Sequence, residues 1–194
     1  MKKKSLALVL ALAMIVVCVV GGTLAWLIAT TPEVKNTFTY GDINIKLEET
    51  GATVAADGSA TKEFKMIPGY TITKDPKVTV LAGSEKCYLF VKVAESDNFD
   101  DFMTYDMAAG WTALTGVNGV YYRVVDTADM GTAYSVLAND KVTVRGDVTK
   151  GMLNGLTEAT QPTLTFTAYA CQYNSSNGTS FTAADAWAKV NPTT

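Results

Sequence analysis

Short apolar segments, each closed by a turn signal, recur between residues 42 and 173 and constrain the fold of this chain most strongly. Ile43–Leu47 alternates apolar with polar side chains, which indicates a strand with one buried face. Cys87–Val93 is β-branched, aromatic and nearly continuous, as expected of a central strand. Thr163–Tyr173 is the last long segment of this kind. With about nine such strands and little helix, the sequence predicts an all-β fold, either a β-sandwich or a jelly roll.

The remaining predicted strands are shorter, and two pairs of them have the pattern of hairpins. These strands are Thr61–Ile67, Tyr70–Leu81, Trp111–Leu114, Val120–Val125, Ala133–Leu137 and Val142–Arg145. Turn signals at Asn118-Gly119 and at Asn139-Asp140 predict that the third pairs with the fourth and the fifth with the sixth. Pro76 interrupts the second strand, so an edge position or a bulge is expected there.

A short helix is predicted at the C-terminal end, where the period of the apolar pattern changes. Thr182 can cap a helix that runs to Val190, and Asp185 completes a capping-box-like pair. Ala186, Trp187 and Val190 would form its packing face.

The N-terminal segment has the layout of a secretory signal peptide. Three lysines at positions 2–4 precede the apolar run Leu6–Val20, and Gly21-Gly22 leads to a small-residue site. We expect residues 1–25 to be removed by cleavage between Ala25 and Trp26. An uncleaved membrane anchor is the alternative, because the uncharged stretch to residue 29 exceeds the roughly 20 residues that span a bilayer. In that case the signal segment would be the one contact with the membrane.

Charge and composition exclude several classes of partner and reaction. The formal net charge is −3, and the chain has only two arginines, so nucleic acid is not an expected partner. The absence of histidine excludes Ser-His-Asp, Cys-His and HExxH sites. We therefore expect no enzymatic activity, no catalytic or metal-binding residue and no cofactor.

Two further groups of residues leave alternatives open. Five acidic residues could hold Ca²⁺ in a loop, although such clusters are more often simply solvated. They are Glu95, Asp97, Asp100, Asp101 and Asp106. Cys87 and Cys171 both lie in apolar strand segments, where they could form a disulfide or remain buried free thiols.

Several segments together resemble the TasA/camelysin family of secreted biofilm-matrix proteins. They are GGTLAW at the end of the signal, NTFTYGDINIKLEE, MIPGYTITKDPKVTV, CYLFVKV, and LTFTAYACQY followed by a terminal AW. The resemblance implies a jelly-roll domain at residues 41–194, signal removal by a SipW-type signal peptidase, and export to the bacterial cell surface or the extracellular matrix. It also implies self-assembly into fibres, with other matrix proteins as further partners.

In this family, the mature N-terminal segment of one subunit adds as a strand to the sheet of the next. The matching segment is residues 26–40, with Trp26, Leu27, Ile28, Val34 and Phe38 as the expected anchors. A head-to-tail contact of this kind does not close on itself and therefore propagates. A monomeric surface adhesin or a fibre-capping accessory protein is the alternative function. Peptidase activity, described for some camelysin-like members, is not expected without histidine.

Overall fold

The structure, a computed structural model, describes residues 41–191 and is built mainly from short strands. The strands are β1 (Ile45–Glu48), β2 (Thr53–Val54), β3 (Ala60–Thr61), β4 (Thr71–Thr73), β5 (Lys77–Val80), β6 (Cys87–Glu95), β7 (Met103–Thr104), β8 (Thr112–Ala113), β9 (Val120–Val125), β10 (Ala133–Ser135), β11 (Lys141–Val144) and β12 (Leu164–Gln172). The helices are α1 (Phe99–Phe102), α2 (Lys150–Asn154) and α3 (Ala183–Val190).

The first sheet has the antiparallel order β12-β6-β9-β8. The apolar segment that predicted a central strand is β6, which pairs with β12 along its full length and with β9 on its other edge. The pairing of β8 with β9 confirms the first predicted hairpin.

The opposing layer contains the antiparallel sheets β1-β5-β10 and β4-β11-β7. Pro76 lies at the break between β4 and β5, because it has no N–H to donate to a ladder. Its side chain is buried. Its carbonyl accepts from Val136 N at 2.9 Å, and Lys74 N donates to Asp140 O at 2.8 Å. These two hydrogen bonds extend the β5–β10 and β4–β11 ladders up to the break.

The second predicted hairpin is wrong, because β10 and β11 do not pair with each other. Asn139 and Asp140 both have positive φ, 55° and 54°, but they form a short step in the chain rather than a reversal. As a result β10 pairs with β5 and β11 pairs with β4. Asn139 and Asp140 thus do adopt turn-like conformations, but these displace β11 from β10 instead of reversing the chain.

The two layers pack face to face around one apolar core. Val78 and Val80 of β5 meet Leu89 and Val91 of β6 in the same cluster, and all four are fully buried. Burial on this scale is the main stabilising contribution in such a fold. The expected all-β layered architecture with a short C-terminal helix is therefore confirmed.

Helix α3 covers the other face of the first sheet. The ring of Trp187 lies 5.3 Å from that of Phe90 and 5.2 Å from that of Tyr169, centroid to centroid. Thr182 caps the helix, since its Oγ1 accepts from Asp185 N at 3.2 Å. The predicted cap and packing face are both present.

A cation–π stack closes one side of the sandwich. The guanidinium of Arg123, on β9, lies against the rings of Trp111 and Tyr134. Trp111 Nε1 also donates to Ser135 O of β10 at 2.9 Å. These contacts join the two layers on the side where β8 and β10 lie.

Candidate functional site: a groove between two strand edges

The opposite side of the sandwich is bounded by the outermost strands β1 and β12. Within residues 41–191, neither strand has a partner along its outer edge. β12 is nine residues long and contains no charged residue and no proline. An edge of this kind is a template for pairing with another strand, and natural proteins usually blunt it with charges or proline.

A groove of about 920 Å³ opens between these two edges. Its apolar lining comes from both layers of the sandwich, so it reaches the core. Half-buried residues that line it include Ile45, Leu47, Leu164, Phe166 and Ala168. They lie on inward-facing positions of β1 and β12, spaced two residues apart as the pleat of a strand requires.

The segment 62–66 forms a further wall of the groove. Lys62, Phe64 and Met66 are half-buried, whereas Glu63 and Lys65 are exposed, which is the alternation of a strand. Only Ala60–Thr61, at its N-terminal end, belongs to a ladder, as β3 paired with β2. The predicted strand Thr61–Ile67 is thus confirmed in its side-chain pattern but not in its pairing.

Among the described residues, the backbone of this wall segment has no ladder partner. No main-chain hydrogen bond joins the N–H or C=O groups of residues 62–66 to other described residues. Backbone groups in a folded protein normally find partners, and a row of free groups can accept an added strand. The groove is therefore flanked by two backbones that have no ladder partner on this side within residues 41–191, those of β12 and of segment 62–66.

A buried ion pair lies in the groove. Lys74 Nζ is 2.8 Å from Glu49 Oε2, and the two side chains are only 12% and 13% exposed. Lys74 also lies over the rings of Phe64 and Phe166, at 5.5 and 5.3 Å from their centroids. Lys62 Nζ is 3.9 Å from Glu49 Oε1 and donates to Thr50 O at 2.7 Å.

Sequence reasoning missed this ion pair, although a signal was present. Glu49 continues the inward alternation of Ile45 and Leu47, so a carboxylate falls on the core-facing side of β1. A neighbouring contact holds the same chain segment in place, because Thr50 Oγ1 donates to Asp75 Oδ2 at 2.6 Å. That hydrogen bond lowers the pKa of Asp75.

The residues of the N-terminal segment for which the sequence predicts a role lie outside the described part of the chain. This applies to the cleavage site at Ala25 and Trp26 and to the anchors Leu27, Ile28, Val34 and Phe38. Their roles remain predictions.

Cys87 and Cys171 are both free and buried. They lie on the neighbouring strands β6 and β12 but on opposite faces of the sheet. Cys87 packs in the core between the layers, and Cys171 packs under α3. Burial raises the pKa of Cys87 from 9.0 to about 11, so its thiol stays protonated near neutral pH.

The acidic group that suggested a calcium loop is spread over the surface. All five carboxylates are exposed, and Glu95 accepts a hydrogen bond from the hydroxyl of Tyr105 at 2.5 Å. Across residues 41–191, no three His, Cys, Asp or Glu side chains gather in a metal-binding arrangement.

No family model, curated protein or solved structure matches the chain significantly. None of the helices in the described region is both long enough and apolar enough to cross a membrane.

Proposed function

We propose that this protein is a secreted structural subunit of extracellular fibres, a jelly-roll domain that binds the N-terminal strand of a neighbouring copy. The observation that carries the proposal is the groove between β1 and β12, because an opening into the core is flanked there by backbone that has no ladder partner in the described part of the chain. Strand addition combines main-chain hydrogen bonds with pockets for alternate side chains. The groove could provide both the main-chain hydrogen bonds and the side-chain pockets.

The proposed occupant is segment 26–38 of a second copy. It carries the apolar anchors Trp26, Leu27, Ile28, Val34 and Phe38 and ends just before the described body. Its length exceeds that of β12, so it can follow the whole free edge. Its single proline, Pro32, cannot donate to a ladder and would mark a break in the pairing.

Assembly of this type is directional. The strand leaves one subunit and enters the groove of another, so donor and acceptor surfaces differ and the contact does not close into a dimer. In this mechanism, cleavage after Ala25 releases the strand from the export signal and permits pairing. The extracellular matrix and the bacterial cell surface are the proposed locations, and a SipW-type signal peptidase is the proposed processing partner.

The test is to purify the secreted protein, sequence its N-terminus and image it by electron microscopy at high concentration. We expect the secreted protein to begin at Trp26 and to form filaments. A matched variant that lacks residues 26–35 should remain a monomer with an unchanged circular dichroism spectrum. Filaments from that variant, or no filaments from the intact mature chain, would overturn the proposal. Adhesion that survives the deletion would favour a monomeric adhesin.

A further inference from the structure

One acceptor atom in the groove is buried without a hydrogen bond. Glu49 Oε2 is bound by Lys74, but Glu49 Oε1 accepts nothing from the described residues, and Lys62 Nζ stays 3.9 Å away. A buried polar atom left without a donor is unfavourable, and a buried charge more so. A ligand that fills the groove and brings a donor to this atom would remove that penalty.

The position of Glu49 indicates which side of an incoming strand would meet it. Glu49 shares the inward face of β1 with Ile45 and Leu47, so it lies among the apolar residues that line the groove. A strand that docks there must turn its apolar face toward Glu49. The donor therefore has to come from a polar side chain on that apolar face.

The N-terminal segment contains a suitable side chain. In an extended strand, Val34, Asn36 and Phe38 share one face, because alternate residues point the same way. Asn36 is thus a polar residue placed between two apolar anchors. Its carboxamide has two N–H donors and no net charge, so it can satisfy a carboxylate oxygen without burying a further ion.

We infer that Asn36 of one copy donates to Glu49 Oε1 of the next and thereby fixes the register of the docked strand. This inference rests on the proposed function. A shift by two residues would keep an apolar pattern but place Val34 or Phe38 at Glu49 and leave the acceptor without a donor. Between Val34 and Phe38, Asn36 is the one polar residue on this face, and a polar residue in an apolar stripe sets register in the same way in coiled coils. The Glu49–Lys74 pair is therefore a specificity-determining element for strand binding.

The test uses the full mature chain and three variants. Asn36→Asp is nearly isosteric but brings a second carboxylate to Glu49. Thr37→Asp introduces the same charge at the adjacent position, on the opposite face of the strand, and is the matched control. Asn36→Asp combined with Glu49→Gln restores a donor–acceptor pair between the two positions. Light scattering gives the critical concentration for assembly, and thermal melting checks that each variant folds.

The inference expects Asn36→Asp to raise the critical concentration by about tenfold or more, since like charges juxtaposed in an interface are strongly unfavourable. Thr37→Asp should stay within about threefold of the wild type, and the double variant should return to near wild-type assembly. Equal assembly of Asn36→Asp and Thr37→Asp overturns the inference, as does failure of Glu49→Gln to restore assembly. In either case, filaments from the wild-type chain would still support the proposed function. If the wild-type chain forms no filaments, both the proposed function and the role of Asn36 are overturned.

Discussion

The guanidinium carbon of Arg123 lies 3.8 Å from the centroid of the Tyr134 ring and 5.1 Å from that of Trp111. The contact joins β9 of one layer to β10 of the other, on the side away from the groove. The two sides of the sandwich therefore differ: the Arg123 stack and the Trp111 hydrogen bond hold the layers together on one side, and the groove opens between β1 and β12 on the other.

Removing the stacked cation should destabilise the fold. Arg123→Ala is expected to lower the free energy of unfolding by about 1–2 kcal/mol, through lost cation–π and packing contacts. Arg123→Lys keeps the charge but loses the planar stacking surface, so its loss should be smaller. Urea unfolding followed by tryptophan fluorescence measures both. Equal stability of the alanine variant and the wild type would contradict the conclusion that this stack helps to hold the two layers together.

A charge placed in the groove should block assembly. Ala168 is half-buried on the groove side of β12, so Ala168→Lys puts an ammonium group where a docked strand must pack. We expect filaments to disappear on electron micrographs. Ala109→Lys makes the same substitution at an exposed position outside the groove lining and should leave filaments intact. Similar melting temperatures would show that any difference arises in assembly.

The packing of α3 should be among the larger stability contributions. Trp187 is 6% exposed and contacts Phe90 and Tyr169. Trp187→Ala is expected to cost about 3–5 kcal/mol, which is typical of a large buried aromatic residue. Lys189→Ala, at an exposed position of the same helix, should change stability by less than about 0.5 kcal/mol. Chemical denaturation compares the two variants directly.

The two mature cysteines should behave as unreactive thiols. A thiol reagent at pH 8 should modify neither residue in the folded protein and both after denaturation, because the thiolate is the reactive form and burial disfavours it. Reducing agent should leave the melting temperature unchanged. A mass 2 Da below that of the dithiol form would contradict this prediction by indicating a bridge.

Cys87 should also make stability depend on alkaline pH. Its pKa is about 11 in the folded protein against 9.0 ordinarily, so between these values the unfolded chain loses the proton first. The free energy of unfolding should therefore fall as pH rises through this range. Cys87→Val should show a smaller fall between pH 8 and pH 10 than the wild type. Equal slopes in urea-unfolding experiments would argue against a buried, protonated thiol.

The sequence correctly predicted those strands and caps that are determined by residues close together in the chain. Cys87–Val93 reads as a central strand because both of its faces are buried. Thr182 reads as a cap because its hydroxyl binds the backbone N–H of Asp185, only three residues further along the chain. Pro76 was expected to mark an edge position or a bulge, because proline affects its own ladder directly. In the structure it instead separates β4 from β5, which belong to different sheets.

The remaining features depend on contacts between distant parts of the chain. Asn139 and Asp140 have turn chemistry, yet pairing with β4 and β5 decides that the chain continues instead of reversing. Segment 62–66 alternates like a strand, but its sequence does not specify which edge it would pair with. The ion pair of Glu49 and Lys74 joins residues 25 positions apart and becomes visible only when β1 is paired with β5, which brings the end of β1 to the β4–β5 connection.

The Arg123 stack has a consequence for the shape of any polymer built through the groove. The Arg123 stack holds one side of the sandwich together, and the groove for a docked strand lies on the other side. Each chain also has one N-terminus to contribute. Every subunit would then have one predecessor and one successor. The resulting filament would be unbranched, with two chemically different ends, and growth at one end would require a different surface from growth at the other.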